Sequence, residues 1–505
     1  MKICMFTNTY VPHIGGVARS VHFFAEDLRA LHHQVLVVAP TFPEQVHAHE
    51  DKGRVLRVPA VQNFNGSDFS VRIPLPFIIA QGIHAFEPDI IHSHHPFLMG
   101  DAALRAARRH NLPLIFTHHT LYEEYTHYVP LDSPALKKFV VDLSTRYANL
   151  CDRVAAPSAS IAHMIRQRGV IRPVTEIPTG VDIEFFARGR RDRFRKCYGI
   201  SEDSWVTGHL GRLAPEKNLR YLTEAVAEFV SRHDQACFLV VGNGPSRREI
   251  SRIFAAKNLS PRLIMAGSLS GQDLSDAYSA MDLFVFSSQS ETQGMVLLEA
   301  MAAGKPVVAL DASGVREVMR DGQNGRLLPA DASRQRFADA IEEFFQNPVT
   351  ADHWRRCSLE TARSLSREIC ARRLESLYQL ALDEYEAAGK PEIPAELDPW
   401  ESLLEGIKLE WELLLVKTSA AVDAIRSSEH SKKHNSHRAM VRAHKSDLFN
   451  EMDVALDSVS ALRAFEGDPM IGLSGTGLTN QVPGRVPTWT EHHRLLLQLD
   501  YYSTG

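Results

Sequence analysis

The stretch SSQSETQGMVLLEAMAAGKPVVA, residues 287–309, reads as a loop, a helix and a strand. The apolar LFVFS leading into it predicts a buried strand, and from Met295 the apolar residues recur at helical spacing. Gly304 ends that helix, since glycine closes helices readily, and PVVALD then starts the next strand. The same stretch sets two carboxylates eight positions apart, Glu291 in the loop and Glu299 within the first turns of the helix. Such a pair can reach two ends of a sugar nucleotide. Between them the backbone N–H groups of the helix start, at Gly294 and Met295, favour an anion such as phosphate.

Working outward, the alternation of short apolar runs with amphipathic helices extends over most of the chain, as in parallel sheets covered by helices. KICMFT, QVLVVAP, RVLRVP, DIIHSH, LPLIFTHH, RVAAPS and VTEIPTG are the expected strands of the first half. WVTGHLGR, CFLVVGNG, LIMAGS, LFVFSS, PVVALD and GRLLPA are those of the second. The expected fold class is therefore α/β, two Rossmann-like domains facing each other across a cleft. The boundary falls near the polar, basic, turn-rich PTGVDIEFFARGRRDRFRK, giving domains at 1–178 and 179–364. Ligands of such sheets sit beyond the carboxyl ends of the strands. Gly15 and Gly16, HSHH (92–95) and THHT (117–120) all fall there. So does HLGRLAPEKN (209–218), which delivers Arg212 and Lys217 in a short loop, a planar fork and a point charge suited to a diphosphate. Beyond Gly389 the pattern stops. Residues 391–505 read as an appendage, partly helical and partly disordered, with a His-, Lys- and Arg-rich segment whose role is not legible.

Apolar residues at 44% and charged residues at 23% describe an ordinary globular protein, and a formal charge of −5 gives no global attraction to nucleic acid. Six cysteines without C-x-x-C spacing fit reduced thiols. No uncharged run approaches the roughly 20 residues that span a bilayer. These features predict a cytoplasmic protein, with contact at the inner membrane face left open. His92, His94 and His95 lie on a strand end with alternating faces, so no metal site is expected, and the chain has no Asp-x-Asp. Charge neutralisation falls to Arg212 and Lys217.

Taken together, GRLAPEKN, the E-x7-E of Glu291 and Glu299, LEAMAAGKPVVA, IPTGVD (177–182) and GGVARSV (15–21) resemble the retaining, sugar-nucleotide-dependent glycosyltransferases of family 4, over roughly residues 1–390. The resemblance implies the GT-B fold, with a final helix around 365–388 crossing back to the first domain. It implies that Gly16 approaches phosphate, that Gly244 and Gly267 line the nucleotide pocket, and that Glu299 holds ribose and Glu291 sugar hydroxyls. A histidine at the end of LPLIF would reach the transferring sugar. His119, immediately before Thr120, takes that role, with His118 one position of register away. Neither glutamate is a nucleophile, because a residue gripping sugar hydroxyls is badly placed on the ring face opposite the leaving group.

HTLYEEYTHYVPL (119–131) and SETQG further resemble the corresponding loops of bacterial diacylglycerol glucosyltransferases. That implies Tyr122, Glu123 and Tyr125 on the acceptor side, UDP-glucose as co-substrate with no cofactor, and a membrane lipid as acceptor. The basic residues Arg105, Arg108, Arg109, Lys137, Lys138 and Arg146 suit an anionic lipid surface, diluted by Glu123, Glu124 and Asp142. A soluble sugar acceptor, a sugar-nucleotide 2-epimerase and a non-catalytic nucleotide-binding regulator remain the alternatives.

Overall fold

The computed structural model describes residues 1–13, 15–41, 53–61, 71–72, 76–124 and 133–389. The expected appendage at 391–505 and Tyr125 lie outside these described residues.

The first half forms strands β1 (Lys2–Phe6), β2 (Gln34–Pro40), β3 (Val55–Val58), β4 (Ala60–Val61), β5 (Val71–Arg72), β6 (Ile90–Ser93), β7 (Leu114–Thr117), β8 (Arg153–Ala156) and β9 (Val174–Glu176). The second half forms β10 (Trp205–Leu210), β11 (Ala236–Val241), β12 (Leu263–Gly267), β13 (Leu283–Phe286), β14 (Val307–Leu310) and β15 (Gly325–Leu328). Seven strands make one sheet in the order β3-β2-β1-β6-β7-β8-β9 and six make the other in the order β12-β11-β10-β13-β14-β15, while β4 and β5 pair apart from both. Each pairing described within the two large sheets is parallel. Each expected apolar run is a strand of one of them. The architecture is the two-domain, doubly wound α/β fold of the GT-B class.

Period-2 alternation explains how each sheet is covered on both faces. In β1, Cys4 and Phe6 enter one apolar cluster with Met99, Leu104 and Tyr147. Ile3 and Met5 enter the opposite cluster, with Val21 and Phe24 of helix Gly16–Ala30 and with Leu374, Leu377 and Tyr378 of helix Arg367–Ala387. That last helix therefore returns to the first sheet. Arg367 anchors its start by donating to both Asp27 oxygens at 3.0 and 2.6 Å, and its guanidinium lies 4.3 Å from the Phe23 ring centre.

The chain passes between the sheets twice, and the two passages touch. Val181 N–H donates to Leu365 O at 3.0 Å and Arg367 N–H to Val181 O at 3.1 Å. Next to them a Cβ on Gly180 would sit 2.4 Å from Arg367 Cα and 2.7 Å from Ser366 O, which are backbone atoms with no rotamer to yield. Gly180→Ala is expected to cost about 1–3 kcal/mol by overpacking, read as a lowered Tm in thermal unfolding. An unchanged Tm would mean that the passages separate freely.

The basic segment after this crossing is not the polar linker its composition suggests. It forms short helices Ile183–Ala187 and Arg191–Cys197, burying Phe186 and Phe194. Its arginines meet carboxylates from elsewhere: Arg191 and Arg195 meet Asp282, and Arg193 meets Asp273 and Asp276. Arg195 is 1% exposed and donates to the carbonyls of Ala280, Ser201, Glu202 and Ser204 as well.

Candidate functional site

In each sheet the chain leaves the central strand, β1 or β10, first toward one edge and later toward the other. The carboxyl ends of β1 and β6, and of β10 and β13, are therefore the topological switch points where ligands of such sheets bind. The loop after β10 carries Arg212 and Lys217, and the loop after β13 carries Glu291. Hydroxyls lace these two loops together. Ser287 Oγ donates to Lys217 O and Asn218 O at 3.0 and 3.1 Å, and the Ser288 and Ser290 hydroxyls each approach Glu216 O at 3.5 Å. Across this seam Lys217 Nζ donates to Glu291 Oε1 at 2.5 Å, with both side chains less than one-fifth exposed. Arg212, half exposed, is engaged by Glu216 of its own loop.

Gly294 takes φ +69° and caps helix Met295–Ala302 without any side-chain cap. The first N–H groups of this helix thus receive no capping side chain of the chain itself. Gly314 packs against the same loop so closely that a Cβ there would lie 2.7 Å from Gln293 N and from Glu291 O. Gln293 fastens the loop to the crossing segment. Its Nε2 donates to Thr179 O at 2.6 Å, and its Oε1 accepts from Thr179 N–H at 2.7 Å. Ser158 Oγ donates to Thr292 O at 2.8 Å from the first half.

Glu299 is 1% exposed. Its Oε2 accepts from the buried Tyr278 hydroxyl at 2.7 Å, and its Oε1 pairs with Arg19 of helix Gly16–Ala30, which belongs to the first sheet. Neither partner follows from local spacing. The GGVARSV motif contains Arg19, but 280 positions separate it from Glu299.

On the first sheet, β7 ends at Thr117 and the two histidines part company. His119 Nε2 meets His94 Nδ1 at 2.9 Å, their rings stacked at 28°. His118 turns instead toward Phe116 and Tyr122, and its Nδ1 is buried without a partner. His92 continues the group, with Nδ1 on Tyr378 OH at 2.6 Å and Nε2 on Thr117 Oγ1 at 2.7 Å. Burial, and then the neighbouring imidazoles, hold His94 and His119 well below the ordinary histidine value, so both are neutral near pH 7. Among the described residues no group of three or more His, Cys, Asp or Glu is placed to hold a metal ion.

The glycines divide by cause. A Cβ on Gly16 would meet nothing within 4 Å, and Gly267, at φ +75°, is equally open, so packing within the chain demands neither glycine. Gly244 differs: a Cβ there would fall 2.3 Å from Leu213 O, and internal packing accounts for it. On the acceptor side Tyr122 stacks edge-on against Phe97, and Glu123 pairs with Arg168 at 2.5 Å. Within the basic patch Lys138 pairs with Asp142 at 3.3 Å. Among the described residues no helix is long and apolar enough to cross a membrane.

Residues 14–185 match the family described as Glycosyltransferase Family 4, and residues 190–360 the one described as Glycosyl transferases group 1. A GDP-mannose-dependent alpha-mannosyltransferase of Mycobacterium tuberculosis is 30% identical over 346 residues, 68% of this chain and 87% of that protein. The chain belongs to glycosyltransferase family 4. An alpha-monoglucosyldiacylglycerol synthase of Acholeplasma laidlawii is 26% identical over 396 residues, covering 76% of this chain and 98% of that one. The crystal structure of Anabaena HepE in complex with UDP superposes with a TM-score of 0.62 at 21% identity, over 75% of this chain and all of HepE. This family 4 member shares that fold.

Proposed function

We propose that the chain transfers glucose from UDP-glucose, with retention, to a lipid hydroxyl such as that of diacylglycerol, at the cytoplasmic face of a membrane. The observation that carries the donor half is the contact of Lys217 with Glu291 at the β10 and β13 switch points. A cation for the leaving phosphate and a carboxylate for the sugar hydroxyls meet there. The C1–O bond to the β-phosphate breaks, and negative charge gathers on that phosphate. Lys217, Arg212 and the N–H groups at Gly294 and Met295 stabilise it as preorganised donors. Glu291 orients the hexose, Glu299 takes the ribose diol, and neutral His119 hydrogen-bonds the sugar. Gly16 and Gly267 leave backbone open to the donor, and Gly244 lines the nucleotide pocket. The acceptor oxygen bonds C1 on the face the phosphate leaves, and its proton passes to a leaving phosphate oxygen. Residues 1–178 with the return helix form the acceptor side, where Tyr122 and Glu123 approach the lipid, and 179–364 form the donor side.

The lipid half is supported by the HTLYEEY and SETQG loops and by similarity to a diacylglycerol-linked synthase. Mannose from GDP-mannose is the second reading, favoured by the 30% identity to the mycobacterial mannosyltransferase. A panel of UDP-glucose, UDP-galactose and GDP-mannose, each offered with detergent-dispersed diacylglycerol or free sugars, separates them. UDP release and a glycolipid product, seen only with UDP-glucose and diacylglycerol, are expected. GDP release would move the donor to the second reading, and product from free sugars alone would discard the lipid.

A further inference from the structure

Glu299 has one partner that cannot leave and one that can. Tyr278 is fully buried, and its hydroxyl holds Oε2 at 2.7 Å. Arg19 reaches Oε1 from the other sheet, and its side chain is 31% exposed against 2% for Glu299. A ribose diol seeking Glu299 can therefore approach only through the oxygen that Arg19 covers.

We infer that Arg19 is exchanged by the donor: the ribose displaces its guanidinium from Glu299, and the freed guanidinium becomes a further cation on the donor's diphosphate. This rests on Glu299 being the ribose carboxylate, as in the proposed function. Arg19 sits in the first turn of helix Gly16–Ala30, just past Gly15 and Gly16. A cation at that end of a helix opposes the helix dipole unless an anion is near. Glu299 supplies that anion in the structure, and a diphosphate lying along the Gly16 backbone supplies it after the exchange. Its planar fork suits either partner. Before the exchange the guanidinium also faces Phe23, whose ring centre lies 5.6 Å from Arg19 Cζ. The arrangement also discriminates between ligands. A nucleoside must break the ion pair and leave a guanidinium uncompensated, whereas a nucleoside diphosphate restores its pairing.

The test is a reversal of sign. In calorimetry on the full chain, Arg19→Met is expected to tighten uridine by about tenfold, as the ion pair no longer has to be broken, and to weaken UDP by about tenfold, because the bidentate diphosphate contact it loses, about a hundredfold, outweighs the same relief. Glu299→Ala should do the reverse to inorganic diphosphate, binding it more tightly because Arg19 is released, while Arg19→Met binds it less tightly. Equal weakening of uridine and UDP in Arg19→Met, or diphosphate binding unchanged in both variants, would overturn the exchange. Arg19→Lys, which keeps the charge but loses the planar fork, substitutes if the methionine variant unfolds, and is expected to shift uridine and UDP in the same two directions by smaller amounts. The same measurements with guanosine and GDP keep the two claims apart. Binding of the guanine series alone refutes the uridine assignment, and the sign reversal within that series still decides the exchange.

Discussion

Lys217→Ala is expected to lower kcat by about 10²–10³-fold, the range found when one preorganised donor to a developing oxyanion is removed. Tm should fall modestly, by about 2–4 °C for each kcal/mol that the unpaired, partly buried Glu291 costs. The lysine lies on a 3-10 turn, Pro215–Lys217, whose backbone is held from outside by Ser287, so the turn does not depend on the ammonium group. What does depend on it is the neutralisation of charge on the leaving phosphate. The alanine variant also leaves Glu291 without its partner at 2.5 Å. Lys217→Met combined with Glu291→Gln removes that stranded charge and should recover Tm without recovering turnover. Loss of the folded state in Lys217→Ala, or a kcat within threefold of the parent, would show that the pair is a structural strut.

The second large effect is acid lability. Burial lowers His92 and His95 to about 3 and His118 and His209 to about 4. In the unfolded chain each returns to about 6.5. A folded-state value below the unfolded one means that stability is complete above pH 6.5 and is withdrawn as pH falls, because only the unfolded state takes up the proton. Each group withdraws about 1.4 kcal/mol per pH unit until its own folded value is reached. Four such groups between pH 6.5 and 4 rival the whole net stability of a domain, about 5–15 kcal/mol. Asp27, raised by burial, acts with the opposite sign. Tm should therefore fall steeply from pH 6.5 to 5. His95→Asn, whose amide oxygen can take the Nδ1 position and accept from Asn8 N–H, should reduce the slope by about one proton. A flat Tm from pH 7 to 5 would contradict the neutral burial of these imidazoles.

The strands were legible because each is a short apolar run closed by a polar loop, and the helix after Gly294 because its period changes at Met295. Lys217 and Glu291 were legible as motif positions, but their contact is a tertiary fact. Arg19 and Tyr278 on Glu299, Gly314 under the donor loop and His94 on His119 were not legible, since nothing local marks a partner brought in by sheet packing. Residues 183–197 misled for the same reason. A polar, basic, turn-rich composition marks the boundary there, but nothing local shows that Asp276 and Asp282, 86 and 91 residues on from Arg190 and Arg191, face it. His118 and His119 show the finest limit: neighbours in sequence, they diverge in partner because the chain turns just after Thr117.

The joined passages at Val181 and at Leu365 to Arg367 act mechanically as a single hinge pin. Sliding one passage along the other would break both hydrogen bonds, whereas a rotation about their line would keep them. Arg19 lies beside that pin, because the next residue, Ser20, meets Thr179 at 2.6 Å, one position before Gly180. The ion pair of Arg19 with Glu299 is thus set near the spine of a book, where opening the covers displaces it least.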